Sequence, residues 1–129
     1  MSLAFIPCEV FHREFDSKLL LSLKLVSNHN QVVIFGNDKH LNYLLSLSIP
    51  PSVLFEKSCS TLMWETRISN VVKSGGSVIV NDEEGFNNLE TLSSLYLSRV
   101  DANALNSIST YYSWGDVDQK FFSVLPAAP

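Results

Sequence analysis

The residues best suited to chemistry are the acids of the run Asn81-Asp82-Glu83-Glu84-Gly85. The run follows an apolar stretch, Ser77-Val78-Ile79-Val80, and precedes a helix-like segment beginning near Asn88. An ionised carboxylate is costly to bury unless it is paired, so three acids in a row mark an exposed strand-to-helix corner. In an open α/β sheet such corners line the ligand crevice. A carboxylate crowded by others has a raised pKa and can take a proton from a hydroxyl near neutral pH, which is general-base chemistry. Arg13 or Lys57 would then hold an anionic substrate group or keep one acid ionised. The competing reading is that Arg13 pairs with an acid to pin the first loop, while the other acids are solvated or cap a helix.

The remaining polar candidates also follow apolar runs. Glu9, His12, Arg13, Glu14, Asp16 and Lys18 come after the first run, Lys57 and Ser58 after the third, and Trp114 and Asp116 after the fifth. Trp114 before Gly115 reads either as a stacking platform for a sugar or as core. Trp64 and the Phe121-Phe122 pair read as core, and His29 and His40 as helix-end or surface residues. There is no Gly-x-Gly-x-x-Gly after the first strand and no Gly-Lys-Ser/Thr loop, which argues against a dinucleotide site and a phosphate-cradling loop. Cys8 and Cys59 lack metal-type spacing, and a reduced pair of thiols is the simplest reading. Both follow predicted strands and could be neighbours in space, but no role is assigned to them.

The elements that must position these residues alternate along the chain. Leu3–Pro7 reads as a buried strand, with Pro7 at its end because proline cannot donate to the ladder. A loop then runs to Asp16, a plausible helix start. From Phe15 a helix carries Phe15, Leu19, Leu23 and Val26 on its apolar face, widened by Leu20 and Leu25, and ends at Asn28-His29-Asn30. Gln31–Gly36 is a continuous β-branched run, as expected of a strand covered on both faces. Asn37 or Asp38 caps a helix bearing Leu41, Leu44, Leu45 and Leu47, which Pro50-Pro51 terminates.

Ser52–Lys57 is a third strand. A helix from Leu62 to Lys73 carries Leu62, Trp64, Ile68, Val71 and Val72 and stops at Gly75-Gly76. Strand four is Ser77–Val80. A helix with Leu89, Leu92, Leu95 and Tyr96 follows it, then a short helix over Ala102–Ile108, a fifth strand at Thr110–Trp114 and a last helix capped by Asp116. Five strand-helix units predict an α/β, Rossmann-like, doubly wound three-layer sandwich around a five-stranded parallel sheet, in the order 3-2-1-4-5. In that order the groups after strands one and four meet at the switch point, bringing Glu9 and Arg13 toward Asp82, Glu83 and Glu84. Residues 1–125 read as one domain, and Pro126-Ala127-Ala128-Pro129 as a linker cut short.

The bulk numbers set limits. A chain of 129 residues is enough for one domain with a real core. A net charge of −4, with basic residues scattered, argues against a sequence-independent nucleic-acid binder, which would need a basic face. No stretch approaches the roughly 20 apolar residues of a membrane span. Met1-Ser2-Leu3-Ala4 does not begin a signal peptide, so a cytoplasmic location is expected.

Taken together, Pro7-Cys8-Glu9-Val10, Arg13-Glu14-Phe15-Asp16-Ser17-Lys18-Leu19-Leu20-Leu21, Lys57-Ser58, Asp82-Glu83-Glu84-Gly85 and Trp114-Gly115 resemble bacterial surface-carbohydrate biosynthesis proteins of the GT-B glycosyltransferase type. The resemblance covers nearly the whole chain, as the N-terminal half of the family's length; Phe15, where the family pattern has Leu, departs from it. It implies a sugar acceptor bound by this half and a nucleotide-sugar donor held mainly by a C-terminal domain. Glu83 or Glu84 would be the base. Glu9, Arg13, Glu14, Asp16, Lys18, Lys57, Ser58, Asp82, Gly85 and Trp114 would shape the acceptor cleft. No cofactor or metal is expected; charge and apolar runs already argue against nucleic acid and a transmembrane segment, and the resemblance leaves room for peripheral membrane association of the full-length protein. The full-length protein would be the glycosyltransferase, and this fragment alone inactive.

A second class competes: a stand-alone doubly wound signalling or interaction domain, with Glu9 and Asp82 as a Mg²⁺ site built from hard oxygen ligands. It would want a pair of acids after strand one and an Asp after strand three, where the sequence has only Glu9 and then Lys57. A third, blander reading leaves the acidic corner merely solubilising.

Overall fold

The computed structural model describes residues 2–82 and 100–113. In chain order these form β1 (Leu3–Pro7), α1 (Phe11–His29), β2 (Val32–Gly36), α2 (Asp38–Ser46) and β3 (Ser52–Glu56). A helix follows in three pieces: α3 (Thr61–Met63), a π-helical segment (Trp64–Ile68) and α4 (Ser69–Lys73). Then come β4 (Ser77–Asn81), α5 (Ala102–Ser107) and β5 (Thr110–Tyr112). The expected class is what forms: five parallel strands with helices on both faces. The pleat sorts the layers. Phe5, Leu54, Val78 and Val80 face α2, the π segment, α4 and α5, burying Leu41, Leu45, Met63, Ile68, Val71 and Ala104. Ile6, Phe55 and Ile79 line the other face with Ser17, Lys18 and Leu21 of α1.

The expected strand order is corrected. The sheet runs β2-β1-β3-β4-β5, not 3-2-1-4-5. Right-handed crossovers satisfy either order, so connection rules alone do not choose between them. The choice lies in what covers β2. Its apolar run reads as fully sheathed, yet it is an edge strand with Val32 46% exposed. Phe35 is shielded by the Phe15 ring of α1, with centroids 5.7 Å apart, and Gly36 lies against Leu41 of α2. Helices cover both faces of β2, as its apolar run suggests, while its outer edge carries no neighbouring strand among the described residues. The switch point accordingly lies between β1 and β3, and β3 separates β1 from β4.

One helix is rotated from its expected phase. α1 starts at Phe11, earlier than Asp16, and buries Glu14, Lys18 and Ser22. The expected apolar stripe faces outward instead, with Leu23 58% and Val26 50% exposed. Glu14 and Lys18 hold the inner face because they are paired there, as described below. The third helix keeps its expected face, with Ile68 and Val71 buried and Trp64 and Val72 packed against the core; only Leu62 departs, exposed where Met63 and Arg67 are buried. The π segment widens the helix by a residue and turns Arg67 and Ile68 inward together.

The caps follow the sequence signals. The Asn37 side chain accepts the His40 N–H at 3.1 Å, and Asn30, at φ 49°, closes α1 in the left-handed region. Asp101 accepts the N–H groups of Asn103 at 2.8 Å and Ala104 at 3.1 Å, and also the Thr61 hydroxyl at 3.1 Å. It therefore ties α5 to the start of α3. Asp101→Ala is expected to lower stability by about 1–2 kcal/mol in urea unfolding, the usual cost of a lost cap. A loss below about 0.3 kcal/mol would show that Asp101 does not hold this junction.

Candidate functional site

The carboxyl edge of the sheet carries two charged clusters and a cavity. The first cluster sits at the switch point, where the loops after β1 and β3 meet. Its hub is Glu14, in the first turn of α1, with a side chain 2% exposed. Its Oε2 accepts the Glu9 N–H at 2.9 Å, which returns the chain onto the helix start. Three cations surround it: Arg13 Nη2 at 3.3 Å, Lys18 Nζ at 3.4 Å and Lys57 Nζ at 3.6 Å. Lys57 also bonds Glu9. A carboxylate can sit this deep because the cations and the helix N-terminus offset its desolvation. Arg13 pairs with its chain neighbour Glu14, a contact compatible with either role expected of it.

The second cluster was not legible as a site. Arg67 is 1% exposed, with Nε 2.5 Å from Glu56 Oε1 and Nη1 2.9 Å from Asp38 Oδ1. These two contacts are ionic and poorly directed as hydrogen bonds. The directed bonds run from Nη2 to Glu56 Oε2 at 3.3 Å and from Nη1 to the Asn42 side-chain oxygen at 3.2 Å. Burial pushes the Glu56 carboxyl up to about 7, against the opposing pull of the Arg67 guanidinium. The signal existed: strand alternation puts Glu56 on the face of Leu54, and helical spacing puts Arg67 with Met63 and Val71. A lone charge on each buried stripe is the signature of a pair.

The cavity, of about 480 Å³, opens between the start of α1 and the ends of β4 and β5. It is lined by Arg13, Glu14, Ser17, Asn81, Asp82, Tyr112 and Ser113. Asn81 and Tyr112 are register partners on the α1 face of the sheet. Asp82 continues the ladder, donating its N–H to the Tyr112 carbonyl at 3.1 Å, and its carboxylate accepts the Tyr111 hydroxyl at 3.2 Å. Asp82 is only 5% exposed, so the acidic corner begins as a buried acid rather than a solvated one.

Of the residues expected to converge, Arg13, Glu14 and Asp82 line one cavity. Glu9 and Lys57 pair beside it at the switch point, and Lys18 lies beneath α1, lining a smaller cavity of about 210 Å³ with Glu56. Asp16 is exposed on α1, and Ser58 is half-buried beyond β3. Glu83, Glu84, Gly85 and Trp114 lie outside the described residues. Ser17, Asn81, Tyr112 and Ser113 were missed because uncharged polar residues, in a helix or at a strand end, carry no distinctive spacing. Glu9, expected in one reading to share a cation with Asp82, bonds Lys57. Among the described residues no group of three or more His, Cys, Asp or Glu is placed to hold a metal ion.

Cys8 and Cys59 are both buried free thiols. Burial, reinforced by the charges of Asp82 and Asp101, pushes Cys59 up to about 12, so it stays protonated and unreactive at neutral pH. Among the described residues no helix is long and apolar enough to cross a membrane. Compared with protein-family models, curated proteins and solved structures, the chain matches none of them.

Proposed function

We propose that this chain is the acceptor-side domain of a glycosyltransferase-like protein of bacterial cell-surface polysaccharide biosynthesis, working in the cytoplasm. The observation that carries the reading is the carboxyl-edge cavity, walled by carboxylates, hydroxyls, an amide and the tyrosine ring of Tyr112, which is 59% exposed. Polyhydroxylated rings are bound by such walls: planar polar groups take the hydroxyls, and an aromatic face covers the C–H side. The cavity residues Arg13, Glu14 and Asp82 belong to the same stretches that resemble surface-carbohydrate biosynthesis proteins.

In this reading the nucleotide-sugar donor is held mainly by a C-terminal domain, and this polypeptide alone does not turn over. Glu83 or Glu84, next along the chain from Asp82, serves as the base that takes the acceptor hydroxyl proton. In the full-length protein, changing the acting acid to Gln should lower kcat by about 10²–10⁴-fold. Transfer that survives both Glu83→Gln and Glu84→Gln would remove the base assignment. For this chain, titration with monosaccharides and oligosaccharides by amide NMR should move Asn81, Asp82, Tyr112 and Ser113, with no tight binding of nucleotide-sugars. Shifts confined to other surfaces, or tight nucleotide-sugar binding by this chain, would sink the reading.

A further inference from the structure

We propose that this chain pairs with a second copy of itself along the outer edge of β2, the two strands running antiparallel and the two α1 helices lying side by side over the joint.

The hydrogen-bond ladder defines the edge. At one end of β2 the Val32 N–H donates to the Ser2 carbonyl at 2.9 Å, and at the other the Gly36 carbonyl accepts the Cys8 N–H at 2.8 Å. The register against β1 is one-to-one throughout. Alternate residues of a strand turn their backbone groups to the same neighbour. Val32, Ile34 and Gly36 therefore face β1, while Val33 and Phe35 present their N–H and C=O groups at the outer edge, where no strand lies among the described residues. Edges are commonly blunted by charges, prolines or bulges. The run Val32-Val33-Ile34-Phe35-Gly36 has none of these.

These groups select their partner. An antiparallel copy with its two-fold axis at Ile34 sets Val33 of each copy opposite Phe35 of the other. Both residues of such a pair exchange N–H···O bonds, so every outward group of the strand is satisfied. Val33 and Phe35 share the α1 face, and an aromatic ring opposite a β-branched side chain is a favourable cross-strand pair. In the same register Gln31 meets Asn37 and Asn30 meets Asp38, so no like charges are opposed. The contact is isologous and closes with two copies.

A short strand alone covers little of the roughly 800 Å² per partner that a stable interface needs. The stripe of α1 supplies more. Phe15, Leu19, Leu23 and Val26 recur along one side of the helix, and the Phe15 ring against Phe35 fixes that side as the one over β2. Leu21 lies on the other side, lining the smaller cavity with Phe55 and Ile79. Leu19, Leu23 and Val26 are exposed, so the fold of one copy leaves the stripe unburied. The two-fold axis brings the two stripes together, antiparallel. Leu19, one turn on from Phe15, lies close to the axis and meets its own counterpart, while Leu23 faces Phe15 of the other copy.

The test is sedimentation velocity on the 129-residue chain from micromolar to sub-millimolar concentration, which should show a monomer–dimer equilibrium. Amide exchange by NMR over the same range should slow at Val33 and Phe35 by about tenfold or more as dimer forms. Ile34 and Gly36, bonded to β1 in either state, should not change. Leu19→Glu, at an exposed position, should weaken the dimer by about tenfold or more by opposing two carboxylates at the axis. Val33→Pro removes an outward donor that one copy alone does not use, and should abolish pairing. If urea unfolding finds that proline disturbs the fold, Leu19→Glu decides. A dimer that leaves exchange at Val33 and Phe35 unchanged, or that survives Leu19→Glu unweakened, would overturn the proposal. So would a monomer at every concentration, which would leave the stripe to a partner other than a second copy.

Discussion

Replacing Arg67 by methionine is expected to cost about 3–5 kcal/mol of folding stability at pH 8, the usual penalty for stripping one partner from a buried ion pair. The guanidinium is 1% exposed and is the shared partner of Glu56, Asp38 and Asn42. Without it, Glu56 faces an interior with no compensating cation beside it. Glu56→Gln should cost far less, within about 1.5 kcal/mol, because a neutral amide keeps an oxygen for Arg67 and sheds the desolvation of a charge.

The pH dependence separates this account from simple loss of packing. Folding raises the Glu56 carboxyl from 4.5 to about 7. Between those values the native state binds more protons than the unfolded chain. The contribution of this group to stability is therefore full below about 4.5 and is lost as pH rises through about 7. Urea unfolding at several pH values should show the unaltered chain losing ground to Glu56→Gln as pH climbs across that window. Arg67→Met should be less damaging at pH 5, where Glu56 is protonated, than at pH 8. An Arg67→Met penalty below about 1 kcal/mol, or one identical at both pH values, would mean that the pair is not what holds β3 against the π segment.

The second large effect is expected at Gly76, in the turn from α4 into β4. A Cβ there would lie 2.4 Å from the Ser52 carbonyl oxygen, 2.7 Å from Val71 Cγ1 and 3.0 Å from the Ser52 nitrogen. Two of the three obstacles are backbone of β3, which cannot step aside as a side-chain tip can. Gly76→Ala should therefore destabilise by about 3 kcal/mol, at the upper end for overpacking. Its neighbour Gly75 makes the control. There φ is +79° and the nearest atom to an added Cβ is Pro51 Cγ at 3.9 Å, so Gly75→Ala meets strain without collision. It should cost about 1–2 kcal/mol, the price of a left-handed residue with a Cβ. Equal losses at the two positions would contradict the close approach of α4 and β3.

The amino-acid sequence by itself determined the local structure and the class. Apolar runs, Pro7, the Asn37 cap, Asn30 and the Gly75-Gly76 stop each act over a few residues, so the strands, most helix ends and the parallel α/β alternation were legible. It also marked Arg13, Glu14 and Asp82 as members of one edge. Only the tertiary structure decided which strands became neighbours, because right-handed connections permit either order and an apolar run reports covered faces, not whether a strand has one neighbour or two. That choice brought Lys57 to Glu9 and Glu14 at the switch point. Tertiary pairing also turned α1 away from its apolar phase. Glu14, with Lys57 joining its near neighbours Arg13 and Lys18, and Arg67, with Glu56 and Asp38, are buried where partners from other elements help offset their desolvation.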